Sequence, residues 1–465
     1  MPTTTHTISG HLDPGAPDFV YLPVEVPPGV REIAVSYSYD KPPVPAGTLG
    51  NSCDIGIFDE CGIDVGGEGF RGWSGGARTE FAIAAEVATP GYLPGPVNPG
   101  TWHVALGPYT VAPCGLDYRV DVTLTFGAPG EPYVAEYAPQ QVPGHGRAWY
   151  RGDCHLHTVY SDGWRLPEEV AATARTAGLD FIVTTEHNTS ASHGAWAQLA
   201  GDNLLIVTGE EVTTRNGHYL AVGIAPGEWI DWRYRAHDGA FAGFARQIRQ
   251  SGGIVVPAHP YAPFIAGSWK FGYDDADAVE VWNGPWTPDD ESALNTWDSM
   301  LVSSVHGRGG WLPAMGNSDA HGEPQLIGLP HNVVHADALS RDALVAALTA
   351  GRTWIAESST VNVDFAVTGS GRRAGIGERL DVDADAPVQV TLDVRGVPDG
   401  VVWILSDTGE VLRTSLPASG AGTLSWQATP SLAAYLRVEV RHPGAGAMAA
   451  LTNPIFLGRS WAELR

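Results

Sequence analysis

At 465 residues the chain is too long for one ordinary core, and two or three domains are expected. A hydrophobic content of 43% against 17% charged residues excludes a disordered chain. The formal charge of −25, with no run of Lys or Arg, excludes a nucleic-acid backbone as partner, and no stretch approaches the roughly 18 apolar residues of a membrane span.

The first residues, MPTTTHTISGHLDPG, show no basic segment followed by an apolar one, so a cytoplasmic location is expected. Cys53 and Cys61 could pair across a loop, but with Cys114 and Cys154 they are too few for a disulfide scaffold, and free thiols are expected. Fifty-seven Gly and thirty-five Pro imply many turns and short strands.

Residues 1–145 read as a β-sandwich. FVYLPVEV, REIAVSYSY, CDIGIFD, TEFAIAAE, TWHVALGPY and YRVDVTLTF are strand-like runs separated by Pro- and Gly-rich turns. His6, His11 and His103 lie here without partner spacing, and 128–146 resembles a linker. From 146 the pattern changes to strand and helix in alternation. WYRGDCHLH is a strand, and PEEVAATARTAG (167–178) is a helix with Pro at its first position and Gly at its end. Strand LDFIVTTEH (179–187) is followed by a short helix through Trp196 and Leu199. Strands LLIVTGEEV (204–212) and HYLAVGI (218–224) precede a helix over 239–252. GIVVPAHP (253–260), AVEVWNG (278–284), a helix over 289–305, LPAMGNSDAH (312–321) and a helix over 340–351 complete the unit at 356. Units of this length, about seven of them, imply a parallel barrel. VNVDFAVTG, VQVTLDVRG, VVWILSD, TLSWQAT, YLRVEVRHP and NPIFLG then describe a second sandwich over 357–465, with His442 at its surface.

The chemistry is concentrated in the middle unit. RGDCHLHTVYSDG (151–163) places His155 and His157 two residues apart, which on a strand points both imidazoles to one side. Asp162 follows in a Ser-Asp-Gly turn. Alone this is a weak metal signal, since one core and one surface histidine would give the same pair. The later strands, however, end the same way: FIVTTEH in His187, LLIVTGEE in Glu211, IVVPAH in His259, and LPAMGNSDAH in Asp319 and His321. Barrel active sites lie at the carboxyl ends of strands, and clusters of His, Asp and Glu are metal or catalytic sites by their chemistry.

In this order, HxH with SDG, TEHN, GEE, GHYL, AHP and GNSDAH resemble the polymerase-and-histidinol-phosphatase (PHP) superfamily of metal-dependent phosphoesterases. VEVWNG and the segment from LIGLPHNVVHADALS onward fit the same pattern. The flanking sandwiches, with LTNPIFL near the end, are most similar to the branch named after carbaryl hydrolases. The resemblance implies a distorted (β/α)7 barrel with two or three bridged divalent ions, of which Zn, Mn or Fe all suit mixed nitrogen and oxygen donors. It implies His155, His157 and Asp319 on one ion, Glu211 bridging to another held by His218 and His259, and Asp162, His187 and His321 on the remaining ion. Glu211 is preferred to Glu210 because the family glutamate lies two residues after the glycine, and Glu210 would point to the opposite side. The sequence departs from the family at Glu186, where Asp is usual; that position supports ligands without touching metal.

Such a centre implies hydrolysis of a phosphomonoester or phosphodiester by a metal-bridging hydroxide, with Glu211, Asp319 and His187 catalytic and a small phosphorylated molecule as substrate. Carbamate or carboxyl-ester hydrolysis is the alternative on the same centre. Lys270 and Arg308 are the candidates for receiving the phosphate, and His193 and His331 are expected near the mouth. A non-catalytic scaffold, or a polymer-binding protein using exposed tryptophans such as Trp73 and Trp102, is the alternative of another class. The sandwiches are expected to pack on the barrel and to wall the cleft. The residues carry no signature of the substrate's identity or of an oligomeric state.

Overall fold

The structure is a computed structural model that describes residues 1–201, 203–444 and 446–459; residues 460–465, part of the expected C-terminal sandwich, lie outside the described residues. Eight strands build the N-terminal unit: Thr3–Leu12 (β1), Val20–Val26 (β2), Val30–Tyr39 (β3), Ser52–Phe58 (β4), Phe70–Gly75 (β5), Glu80–Ala84 (β6), Gly100–Thr110 (β7) and Leu116–Phe126 (β8). They form two four-stranded sheets, ordered β1-β8-β3-β6 and β2-β7-β4-β5. Alternation in β2, VYLPVEV, turns Leu22, Val24 and Val26 into the core between them. Sequence patterning misses β1 and β5. The first is a polar edge strand that buries almost nothing, and the second is the Gly- and Ser-containing FRGWSG.

The middle unit contains Ala148–Asp153 (β9), Phe181–Thr184 (β10), Leu205–Thr214 (β11), Gly217–Val222 (β12), Ile254–Ala258 (β13), Val279–Asn283 (β14), Ala314–Asn317 (β15), His331–Ala336 (β16) and Thr353–Ala356 (β17). Its helices are Pro167–Thr176 (α1), Phe241–Gln250 (α2), Pro288–Val305 (α3) and Arg341–Thr349 (α4). Pro opens α1 and α3, where the missing N–H is an unpaired donor position anyway. At α3 the Thr287 amide also donates to the Asp290 carboxylate at 2.7 Å. Phe241, Ala245 and Ile248 form the buried stripe of α2.

The all-parallel strand–helix alternation expected from the sequence is not kept throughout. Strands β9, β10 and β11 run parallel, but β12 is antiparallel to both β11 and β13, and β16 is antiparallel to β9. Only Arg215 and Asn216 separate β11 from β12, which is enough for a hairpin and far too short for a parallel crossover. Between β10 and β11 the expected helix is a single 3-10 turn, His193–Trp196. The pair β14–β15 forms its own parallel sheet, packed against β13 on one side and against β16 and β17 on the other. The result is a ring of strands interrupted in its hydrogen bonding, with α1 to α4 outside it. Carboxyl ends of β9, β10, β11, β13 and β15, and the start of β12, still converge on one side.

Neither sandwich is separated from this ring. Phe58, Phe70, Trp73 and Ala105 of the N-terminal sheet share a core with Val212, Tyr219, Trp232, Phe241 and Ile248. At the other end, β17 pairs with Met448–Thr452, so the ring's sheet continues through Tyr435–Arg441 and Val401–Ser406 across residue 356. All four cysteines are free, with Cys53 and Cys154 buried. Trp73 and Trp102 are buried rather than exposed, at 3% and 0%, and so offer no surface for a polymer. Among the described residues no helix is long and apolar enough to cross a membrane.

Candidate metal centre

The strand ends bring His155, His157, Asp162, His187, Glu211, His218, His259, Asp319 and His321 together. Their side-chain nitrogens and oxygens form four overlapping groups, each compact enough for one cation: His157 with Asp162, His187 and His321; His155 with His259 and Asp319; His155 with His157 and Glu211; and Glu211 with His218 and His259. Glu211 is central. Its Oε1 lies 2.9 Å from His218 Nδ1 and 3.1 Å from His259 Nε2. Its Oε2 lies 2.8 Å from His187 Nδ1, 3.3 Å from His155 Nε2 and 3.4 Å from His157 Nε2. Each carboxylate oxygen therefore faces its own set of imidazoles. Asp319 Oδ1 is 3.0 Å from His157 Nε2 and 3.2 Å from His155 Nε2. Asp162 Oδ1 is 3.4 Å from His187 Nε2 and 3.3 Å from His321 Nε2.

Alternation along β11 explains why one of two adjacent glutamates is chosen. Glu211, Thr213 and Arg215 face the cavity, whereas Glu210 faces the opposite side, where its Oε2 accepts the Ile230 amide at 3.0 Å. Two other donors leave their strands through left-handed backbone: His259 at φ 29° and Asp319 at φ 49°. Strain of this kind persists only where surrounding contacts enforce it. Here the His259 amide donates to Glu280 Oε2 at 2.8 Å, and the Asp319 amide donates to the His155 carbonyl at 2.9 Å.

The support beneath the donors is itself buried and hydrogen-bonded. Glu280 Oε1 accepts from Asn317 Nδ2 at 2.8 Å and lies 3.1 Å from His155 Nδ1, so that nitrogen donates to it and Nε2 is turned towards Glu211 and Asp319. Asp153 takes the Ser318 hydroxyl and the amides of Ser318 and Gly328, which fixes the loop before Asp319. Glu186 accepts from the Thr158 amide and from the hydroxyls of Thr158 and Ser161 at 2.5 and 2.6 Å, holding the turn that carries Asp162. Its extra methylene relative to Asp is accommodated by that turn. Glu280 is the functional residue that sequence reasoning missed. Its signal was VEVWNG, in which a charged residue interrupts an apolar strand.

The electrostatics follow from the closeness of carboxylates and imidazoles. Burial alone would raise Glu211, yet His187, His155 and His218 overcome it and hold the carboxyl well below its usual range. Burial opposes charge on His187, but Glu211 and Asp162 push it up to about 10. His157 goes the other way, to about 3, because burial is reinforced by His321 and His187 stacked on either side at 4.1 and 4.3 Å. His155 Nε2, Glu211 Oε2, His218 Nε2 and His259 Nδ1 are buried without a hydrogen-bond partner. Buried carboxylates with unpaired imidazole nitrogens at this spacing are a donor set for divalent cations, and the residues present fit them.

The candidate substrate groups fare differently. Lys270 is exposed and does not line the cavity, and Arg308 lines a separate cleft beside Trp311 and Asp274. His193 is sealed in the interior, with Nε2 on the Gly209 carbonyl and Nδ1 on the Gly227 amide, both at 3.0 Å. His331, on β16, is likewise saturated by the Gly328 carbonyl and by Arg151, at 2.9 and 2.8 Å. With both ring nitrogens used, neither histidine has a group left for a ligand. The donors instead open into a cavity of about 610 Å³ whose second wall is the N-terminal sandwich: Phe19, Ser52, Asp54, Trp73, Ser74 and Tyr109 line it together with Arg215.

No family model and no curated protein sequence matches the chain. Among solved structures it is similar to a two-domain protein from Bacteroides vulgatus containing a predicted PHP-like metal-dependent phosphoesterase, at 18% identity over 70% of this chain and 100% of that one, with a TM-score of 0.37. It is also similar to a candidate metal-dependent phosphoesterase from Bifidobacterium adolescentis, at 19% identity over 44% of this chain and 96% of that one, with a TM-score of 0.26. An amidohydrolase from Chromobacterium violaceum, with bound sulfate and no metal, matches at 19% identity over 38% of this chain and 89% of that one, with a TM-score of 0.27. At these TM-scores the likenesses assign neither fold nor activity to this chain, and function is read from the donor set.

Proposed function

We propose that the protein is a metal-dependent hydrolase of small phosphoesters, using two or three divalent ions held by the nine donors above. The observation that carries this reading is the division of Glu211, whose two oxygens face different imidazole sets. An anion between two cations relieves their repulsion, which a neutral imidazole cannot do. When bound, such ions make water acidic enough to attack near neutral pH and stabilise negative charge on a phosphoryl oxygen.

The chain's own residues prepare that site. Glu280 fixes the ring of His155 and the backbone of His259. Phe264 packs over His218 and His259 at 5.8 and 5.5 Å between ring centroids and shields them from solvent. Asp319, His187 and Asp162 line the cavity, with Asp162 Oδ1 3.4 Å from His187 Nε2, so these donors face a substrate entering it. No lysine or arginine other than Arg215 lines the cavity among the described residues, so a phosphoryl group at the donors depends on cations for charge neutralisation.

The test is elemental analysis of purified protein, then reconstitution with Zn, Mn or Fe and a screen of phosphomonoesters, phosphodiesters, carboxyl esters and aryl carbamates. Bound metal with phosphoester turnover is the expected result. Turnover of carbamates or carboxyl esters alone would move the assignment to those substrates, and failure to bind more than trace metal would remove the hydrolase.

A further inference from the structure

Arg215, which is half-buried, is placed unlike the buried arginines. Arg71, Arg233, Arg437 and Arg441 each face a carboxylate, at 3.5, 2.6, 2.7 and 2.8 Å. Arg215 forms no ion pair among the described residues. Its guanidinium lies 4.2 Å above the ring of Tyr109, Nη2 makes one long bond of 3.4 Å to the Asp18 carbonyl, and Nη1 is buried with no partner. Tyr109 is itself fixed, because its hydroxyl donates to the Ile265 carbonyl at 2.8 Å. A half-buried guanidinium held on an aromatic ring, facing a cavity with a buried Nη1 left unpaired, is placed to receive an anion in two parallel bonds.

That anion is not the group at the metal donors. Arg215 follows Glu211 by four residues, as the first hairpin residue beyond β11, and extended chain of that length would separate their backbones by at most roughly 13 Å. A guanidinium stacked on Tyr109 therefore meets a second group, several bonds along the substrate. Asp54 lines the same cavity, within electrostatic range of Arg215 as well as of His187 and Asp162, and its carboxylate accepts no hydrogen bond among the described residues. A nearby carboxylate disfavours a dianionic phosphate there and accepts from a hydroxyl or ammonium.

Resting on the phosphoester reading above, we infer that the N-terminal sandwich and Arg215 form a subsite for a carboxylate with an adjacent hydrogen-bond donor. The substrate class is then a phosphoester of a hydroxy acid carrying an amino or second hydroxyl group beside its carboxylate. Arg215 binds the carboxylate, Tyr109 orients the guanidinium, and Asp54 receives the donor.

The experiment uses metal-reconstituted full-length protein and reads binding and turnover separately. Calorimetry compares O-phosphoserine and 3-phosphoglycerate with O-phosphoethanolamine, which lacks the carboxylate, and with 3-phosphonooxypropionate, which lacks the donor. Either of the first two should bind at least about tenfold more tightly than both controls. Arg215→Ala should remove the advantage conferred by the carboxylate, Arg215→Lys should restore only part of it, and Asp54→Asn should remove the advantage over 3-phosphonooxypropionate. For all three variants the readout is the ranking of the four compounds, and not turnover of p-nitrophenyl phosphate. Selective binding without turnover would keep the subsite while overturning the hydrolase. Equal affinity for all four compounds, binding of none, or equal losses for all in Arg215→Ala would overturn the subsite.

Discussion

The two sandwiches flanking the donor domain are attached to it in different ways. The N-terminal one packs its sheet against strands β11 to β13, helix α2 and the loop at Trp232 through side chains, and it sends Phe19, Ser52, Asp54, Trp73 and Tyr109 into the cavity. The C-terminal one shares backbone: its strands extend the donor domain's own sheet, and Asn453 ties β15 to β17, yet among the described residues none beyond His321 lines the cavity. A wall made of side chains can be altered without disturbing the ring of strands, whereas a shared sheet cannot. We therefore assign selectivity to the first and stability of the strand ends to the second.

The largest expected effect lies on the floor common to both. Glu211→Gln removes one negative charge between the imidazole sets and should lose at least one metal, with kcat/KM falling roughly a thousandfold. Glu210→Gln, facing the Ile230 amide, should leave metal content unchanged. A side-by-side metal assay decides this, and equal loss from both would mean that the strand face has been assigned wrongly.

The next test separates floor from attachment. Asn453 is buried and exchanges hydrogen bonds with the Ala314 amide and carbonyl and the Thr353 carbonyl, at 2.8, 3.0 and 2.9 Å. Asn453→Ala should destabilise the fold by about 3 kcal/mol, read as a lower Tm, with substrate ranking unchanged. A shift in ranking would break the division between the two sandwiches.

A smaller effect distinguishes the metal floor from both. The folded pKa of His187, at about 10, lies above its unfolded value of 6.5. The proton it holds stabilises metal-free protein fully below pH 6.5, and that contribution is lost as pH rises towards 10. Metal-free protein should therefore melt at falling temperatures between pH 7 and 10, and the fall should shrink after reconstitution, since metal replaces the proton. Identical profiles with and without metal would argue against these donors as ligands.

The smallest effect is expected from the groups that lie outside the cavity. Lys270→Ala and Arg308→Ala should change kcat/KM less than about twofold, because neither side chain lines the site. A larger loss in either would mean that the loops around 261–276 or 306–312 close over the cleft during turnover.

What was legible in the sequence is local. His187, Glu211, His259, Asp319 and His321 could be found because each ends an apolar run, whereas Asp162 and His218 were given by the family resemblance, and a strand's period of two separates Glu211 from Glu210 without knowledge of any neighbour. Helix starts at Pro167 and Pro288 followed from the chemistry of an unpaired N–H. Strand direction was not legible, since the two-residue hairpin at Arg215 and Asn216 and the open pair β14–β15 are decided by which strands meet, and the all-parallel alternation was not kept at the hairpin. The same holds for the polar groups. His193 and His331 read as free histidines until folding supplied Gly209, Gly227, Gly328 and Arg151 as partners. Glu280, Arg215 and Tyr109 acquire their roles only when segments more than a hundred residues apart are brought together, because a carboxylate's or guanidinium's function depends on what it faces. Periodicity is written in consecutive residues; burial and pairing belong to the folded chain.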